Sequence, residues 1–148
     1  MAVFTKNKTI KTKGRMDKVL LDDYIVEVVK KSKIGEGFVM VFAEGCLGVL
    51  VITENEPGIL NHDIDYLFDK ALGLPYGESF ADGMPYRHHE TWHDDNGAGH
   101  LRALMLHHFI SIPVIEGKPI LGTWQNIFLV ECDTRPRTRN VWFQVQGE

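Results

Sequence analysis

Phe109-Ile-Ser-Ile-Pro-Val-Ile115, the turn Glu116-Gly117, and then Ile120-Leu121, Asn126 to Cys132 and Asn140 to Val145 form the stretch that decides the fold class. Each run is short, rich in β-branched or aromatic residues, and bounded by Gly, Pro or charged residues, the pattern of an antiparallel meander. Upstream, Val3 to Lys13 alternates loosely and stops at Gly14, predicting a first strand. Gly37 to Phe42 and Val49 to Thr53 are apolar runs too short for helices, joined by the glycine-containing Ala43-Glu-Gly-Cys-Leu-Gly48. They predict two buried strands in a hairpin or at a bend near a sheet end.

Helical spacing falls between these runs. Leu20, Leu21, Tyr24, Ile25, Val28 and Val29 share one face, Asp22 and Asp23 suit an early turn, and Lys30, Lys31 and Lys33 suit the end before Gly35. Pro57 is suited to open a second helix with Leu60, Ile64, Leu67, Phe68 and Ala71 on its buried face, ending at Gly73. Leu74 to Asp95 has no sustained period and reads as a long loop, a feature that is often functional in a small domain. A third helix begins after a cap at Asp95 or Asn96, with Ala98, Leu101, Leu104 and Met105 on its apolar face and His108 at its margin. Helices interspersed with hairpins predict an α+β class: one domain over 1–148, a mostly antiparallel or mixed sheet packed with about three helices.

With 148 residues and 44% hydrophobic composition the chain is long enough for one core. A formal charge of −4 offers no general attraction to nucleic acid or anionic membrane. Neither is expected as a partner. Lys6, Lys8, Lys11 and Lys13, and again Arg135, Arg137 and Arg139, alternate in spacing, which on strands is the mark of a solvated face. Cys46 and Cys132 have no C-x-x-C partner, so reduced thiols are expected. No signal-peptide pattern and no apolar run of membrane length is present, and the expectation is a cytoplasmic protein.

The chemistry concentrates in Tyr86 to Leu101, which holds four of the seven histidines. His89, His93, His107 and His108, taken singly, read as loop or solvent histidines, whereas His100 reads as a site residue. Asp94 and Asp95 are able to act as general base or magnesium ligands, and Asp95 equally as a helix cap. A helix starting at Asn96-Gly97 offers free N–H groups to a phosphate, with Gly97 and Gly99 permitting close approach.

Ile112-Pro113-Val114, Gly117, Leu121-Gly-Thr-Trp-Gln-Asn-Ile127 and Arg137 to Val141 resemble the YjbQ family, whose members are often labelled secondary thiamine-phosphate synthase. Tyr86-Arg-His88 and Asp95-Asn96 to His100-Leu101 look like the family's histidine loop and helix start. Ile52-Thr-Glu54-Asn55 looks like its Ile-Asn-Glu-Asn motif. The resemblance implies a compact α+β homotrimer with a histidine cluster able to hold a divalent metal, zinc or magnesium, beside a phosphate-bearing small molecule. It implies His88 and His100 as metal ligands or acid and base and places Glu54 and Asn55 near the pocket; Glu54 and, on its chemistry alone, Asp94 are further catalytic candidates, and Asn55, Asn96, Gly97 and Gln125 are substrate-binding candidates. Trp124 reads as structural. One departure stands out: where the family has His-Thr-Thr or His-Thr-Ser, this chain has Gly45-Cys46-Leu47. A third ligand would then come from His89, His93, Asp94, Cys46 or a neighbouring subunit. The alternative expectation is a non-catalytic trimer whose site has decayed.

Overall fold

A computed structural model describes residues 1–148. Two antiparallel sheets organise it. The first has the order β1-β8-β3-β5-β6, with β1 Ala2–Thr12, β3 Gly37–Ala43, β5 Phe109–Ile115, β6 Lys118–Pro119 and β8 Arg137–Gly147. The second has the order β2-β7-β4, with β2 Asp17–Leu20, β7 Asn126–Glu131 and β4 Gly48–Thr53. The α+β class and the apolar runs of the sequence are both present.

Burial explains the sequence patterns. β5 alternates strictly between exposed and buried because one face of its sheet is solvated. β7 does not alternate, because both of its faces are covered. Ile127 and Leu129 enter a core with Val39, Val41, Ile112 and Phe143 of the first sheet, while Phe128, Val130 and Cys132 enter a second core with Phe68, Tyr86, Ala98 and Ala103. The helix α1 Asp22–Ser32 seals the first core with Ile25, Val28 and Val29. Its Asp22 accepts from the Ile127 N–H at 2.8 Å and the Asn126 amide at 2.6 Å, fixing the helix start to β7.

Several boundaries and pairings differ from expectation. Leu20 ends a strand that pairs with β7 and precedes α1. β3 and β4 belong to different sheets, so of the two expected connections the bend is present and the hairpin is not. The carboxy-terminal runs form no meander either: β5 and β6 make a hairpin, β7 crosses to the second sheet, and β8 returns to lie between β1 and β3. The paired residues after the turn are Lys118–Pro119 rather than Ile120–Leu121.

The second helical segment is Ile64–Tyr66 (α2), flanked by wider π-helical turns at Ile59–Asp63 and Leu67–Ala71. Its start is held by Glu56, whose carboxylate accepts the Gly58 and Ile59 N–H groups at 2.8 Å. The long loop contains a five-residue helix, α3 His88–Trp92, and α4 Gly97–Leu104 follows. Four helices are therefore present. No helix is long and apolar enough to cross a membrane.

The carboxy-terminal arginines are more than surface charge. Arg139 places two guanidinium nitrogens on the fully buried Glu131, at 2.7 and 2.6 Å, and its side chain is only 14% exposed. Arg137 binds Asp133 at 2.6 Å. Only Arg135 lies largely in solvent, 3.6 Å from Asp95.

A candidate acid–base cleft at the start of α4

The start of α4 is set by contact with β7. A Cβ at Gly99 would lie 2.1 Å from the Cys132 carbonyl oxygen, so only glycine lets the helix approach the strand end this closely. A Cβ at Gly97 would meet Tyr86 at 3.0 Å, His89 Nε2 at 3.2 Å and His88 at 3.3 Å. Asn96 occupies the N-cap, φ −107°, but makes no side-chain cap. The N–H groups of Gly97, Ala98 and Gly99 have no backbone acceptor, and the first bond of the helix is from His100 N–H to the Asn96 carbonyl. Asp95 does not cap α4; it accepts from Thr134 at 2.8 Å, a bond that with burial opposing and Arg135 assisting holds its carboxyl below the usual range.

His88 and His100 meet across this helix start, their ring centroids 4.5 Å apart and tilted 31°. Asp94 Oδ1 lies 3.0 Å from His88 Nδ1, off the hydrogen-bonding direction. Asn96, with its amide turned to donate, reaches the same carboxylate at 3.1 and 3.3 Å. Burial, reinforced by the His88 charge, lowers the His100 pKa from its usual 6.5, with Asp94 and Asp133 opposing. At neutral pH His100 is a neutral imidazole, able to accept a proton or lend a lone pair.

The rings border a cleft of about 390 Å³ whose walls are Phe80, Met84, Pro85, Tyr86 and Leu101. Phe80 and Met84 come from a small hairpin, closed by an isolated Ser79–Pro85 bridge and a Phe80 N–H to Met84 carbonyl bond of 2.8 Å. These wall residues escaped the sequence reading. An apolar Phe80 and Met84 in an otherwise glycine-rich, polar loop were the available signal.

The candidates therefore separate. His88, Asp94, Asn96, Gly97 and His100 are together. Glu54, Asn55 and Gln125 do not line the cleft. Asn55 N–H donates to the Asn126 side chain and Gln125 closes a turn on Gly122, at the end of β7 opposite to Cys132. That separation is roughly 20 Å at ~3.4 Å per residue. Among the remaining histidines, His93 ends α3 in a left-handed conformation, His108 Nε2 donates to the Cys46 carbonyl at 3.2 Å, and His89 Nδ1 sits 3.3 Å from Glu78. Cys46 and Cys132 are both free thiols, the second buried.

The residues do not fit a three-ligand zinc centre within one chain, because no group of three His, Cys, Asp or Glu converges. Gly45 has φ +102°, and a Cβ there would lie 3.2 Å from the Arg139 guanidinium. A histidine at this position would need a rearranged backbone as well as a new side chain. A second depression, of about 340 Å³, is lined by Lys13 to Lys18 and Asp65; Lys18 pairs with Asp65 at 3.5 Å and the Lys13 backbone N–H donates to Asp17 at 2.8 Å.

Two antiparallel sheets, a helix start pressed against a strand end and a histidine pair beside an apolar cleft define a small α+β domain with one candidate small-molecule site. Residues 6–148 match the family model described as UPF0047 protein YjbQ-like, and the chain belongs to the YjbQ family. It is 32% identical over 148 residues to a UPF0047 protein of Methanothermobacter thermautotrophicus, covering 100% of this chain and 95% of that one. A UPF0047 protein of Archaeoglobus fulgidus is 34% identical over 133 residues, covering 90% and 94%. In three dimensions the chain is similar to a YbjQ-like protein of unknown function from Sulfolobus solfataricus, with TM-score 0.81, 28% identity and coverage of 99% and 100%.

Proposed function

We propose that the chain is an enzyme acting on a phosphate-bearing small molecule at the start of α4, with His88 and His100 as its acid–base pair. The observation that carries this reading is the coincidence of three features: a neutral, partly desolvated His100, a second imidazole 4.5 Å away, and three helix N–H groups without backbone acceptors. The N–H groups and the positive end of the helix favour an anionic oxygen. Asn96 holds the Asp94 carboxylate beside the His88 ring, 3.0 Å from Nδ1. In the reaction that the family resemblance suggests, a pyrimidine diphosphate is joined to a thiazole phosphate: the ring nitrogen forms the new C–N bond as the C–O bond to pyrophosphate breaks. The helix N–H groups stabilise the negative charge developing on the departing pyrophosphate. His88 donates a proton to that leaving group while the neutral His100 serves as the base. A divalent metal would need a ligand beyond His88 and His100, and no step here depends on one.

The chain is also proposed to work as a homotrimer. Phe109, Phe42 and Trp142 stand side by side across β5, β3 and β8, and all are exposed. An aromatic row of this kind on an open sheet face supports burial against another copy.

Incubation with the two thiamine precursors tests the reaction. Thiamine phosphate is expected from the natural chain and a loss of about a hundredfold or more in rate from His100→Ala; product formation unaffected by His88→Ala combined with His100→Ala contradicts the assigned roles. A second reading, a non-catalytic anion-binding trimer, is favoured by the positive φ of Gly45, which replaces the family histidine. It predicts phosphate binding without turnover.

A further inference from the structure

Arg102 follows His100 by two residues, about 200° around α4, and so leaves the helix on the other side from the histidine cleft. There, with Arg15, Asp65, Asp69, Pro75 and Tyr76, it lines a separate depression of about 290 Å³. Arg102 is 1% exposed, and a guanidinium so deeply buried needs partners. It has most of them. Nε and Nη2 donate to the Leu74 carbonyl at 3.1 and 2.6 Å, Nη2 also reaches Asp69, and the group lies over the Tyr76 ring, 4.0 Å from its centroid. Nη1 alone has no acceptor. The polar side-chain atoms sealed away without a partner are His88 Nδ1 and His89 Nε2, so Nη1 keeps an opening, and the depression is where Arg102 meets it.

Arg15 supplies a second guanidinium. Gly14, Arg15 and Met16 run consecutively at positive φ, +88°, +49° and +64°, a conformation that the last two adopt against their preference. N–H bonds from Arg15 to the Asp133 carbonyl, 2.6 Å, and from Met16 to the Glu131 carbonyl, 2.7 Å, hold this run in place. The Arg15 guanidinium is thereby brought to 5.8 Å from the Tyr76 ring centroid. It has no carboxylate of its own, because Asp69 is taken by Arg102 and Asp65 by Lys18 at 3.5 Å. One positive charge is left over beside one open guanidinium nitrogen. We propose that this depression is a second binding site, for a small monocarboxylate, whose oxygens are held by Arg102 Nη1 and the Arg15 guanidinium beside the Tyr76 ring. A carboxylate matches a guanidinium in shape and balances the single surplus charge. A dianion such as phosphate is disfavoured by Asp65 and Asp69 at the rim. The assignment is independent of what the histidine cleft binds.

NMR titration of the full chain with acetate, acetamide and inorganic phosphate at constant ionic strength tests it. The Arg102 Nε–H, buried and bonded to Leu74, is shielded from exchange and reports directly, with the Tyr76 ring beside it. Acetate should shift both signals saturably, and acetamide, of the same shape without the charge, should not. Arg15→Gln should weaken acetate binding by about tenfold through loss of a charge-assisted bond, and Arg15 is exposed, so its replacement keeps the fold. Asp65→Asn should tighten binding by freeing the Lys18 charge; failure to tighten contradicts the charge balance. No saturable shift at Arg102 or Tyr76, or an affinity that Arg15→Gln leaves unchanged, overturns the site. Phosphate bound there more tightly than acetate overturns the carboxylate class. Acetate shifts confined to His88 and His100 overturn the second site and leave the histidine cleft standing.

Discussion

His100 links the local electrostatics to stability. Its depressed pKa means that the folded chain binds fewer protons than the unfolded chain between the folded value and the usual 6.5. Its contribution is therefore complete above pH 6.5 and is lost as pH falls through the folded value. Urea denaturation as a function of pH should show stability declining from pH 6.5 down to the folded value, and His100→Asn should flatten this part of the profile. Asp133 acts lower: burial is the largest single influence and opposes its ionisation, but the bond and charge of Arg137 together with the Arg135 and Thr134 N–H groups outweigh it and hold its carboxyl below the usual range. Gly99 gives a sharper mutational test. Adding a Cβ 2.1 Å from the Cys132 carbonyl forces α4 away from β7, and Gly99→Ala is expected to cost about 3 kcal/mol in urea denaturation.

At the scale of elements, β7 is the member that the rest depends on. Buried on both faces, it ends at Glu131, whose carboxylate accepts from Thr12, from the Asp133 N–H and twice from Arg139. Arg139→Ala leaves that charge buried and without its ion-pair partner, with an expected loss of about 3–5 kcal/mol by chemical denaturation. The strands were legible in the sequence because period and composition report burial directly. Their pairing was legible only in part: the glycine-containing Ala43 to Gly48 read equally as a hairpin or as a bend near a sheet end, and the chain makes the bend as it changes sheet. The site was legible in part for the same reason. His88, Asp94, Asn96, Gly97 and His100 are close in sequence and stayed close in space, whereas Glu54, Asn55 and Gln125 depend on which end of a strand they occupy.

The whole molecule exposes more aromatic surface than its interior chemistry requires. Phe109, Phe42 and Trp142 form one row on the open face of the first sheet, and Trp142 donates to Glu44 at 2.9 Å at its border. Light scattering is expected to give a trimer for the natural chain and a monomer for Phe42→Glu, since a charge in the centre of the row would be buried unpaired. A monomeric natural chain contradicts the assembly. The row lies on the first sheet and the histidine cleft on the helix side of the second.

The central claim is that His88 and His100 form the floor of an anion site, and histidine ring NMR during a pyrophosphate titration tests it most directly. The account predicts saturable shifts of the His88 and His100 ring signals, with His62, exposed beside Asp63, unmoved. Unchanged His88 and His100 signals, or shifts no larger than that of His62, contradict it.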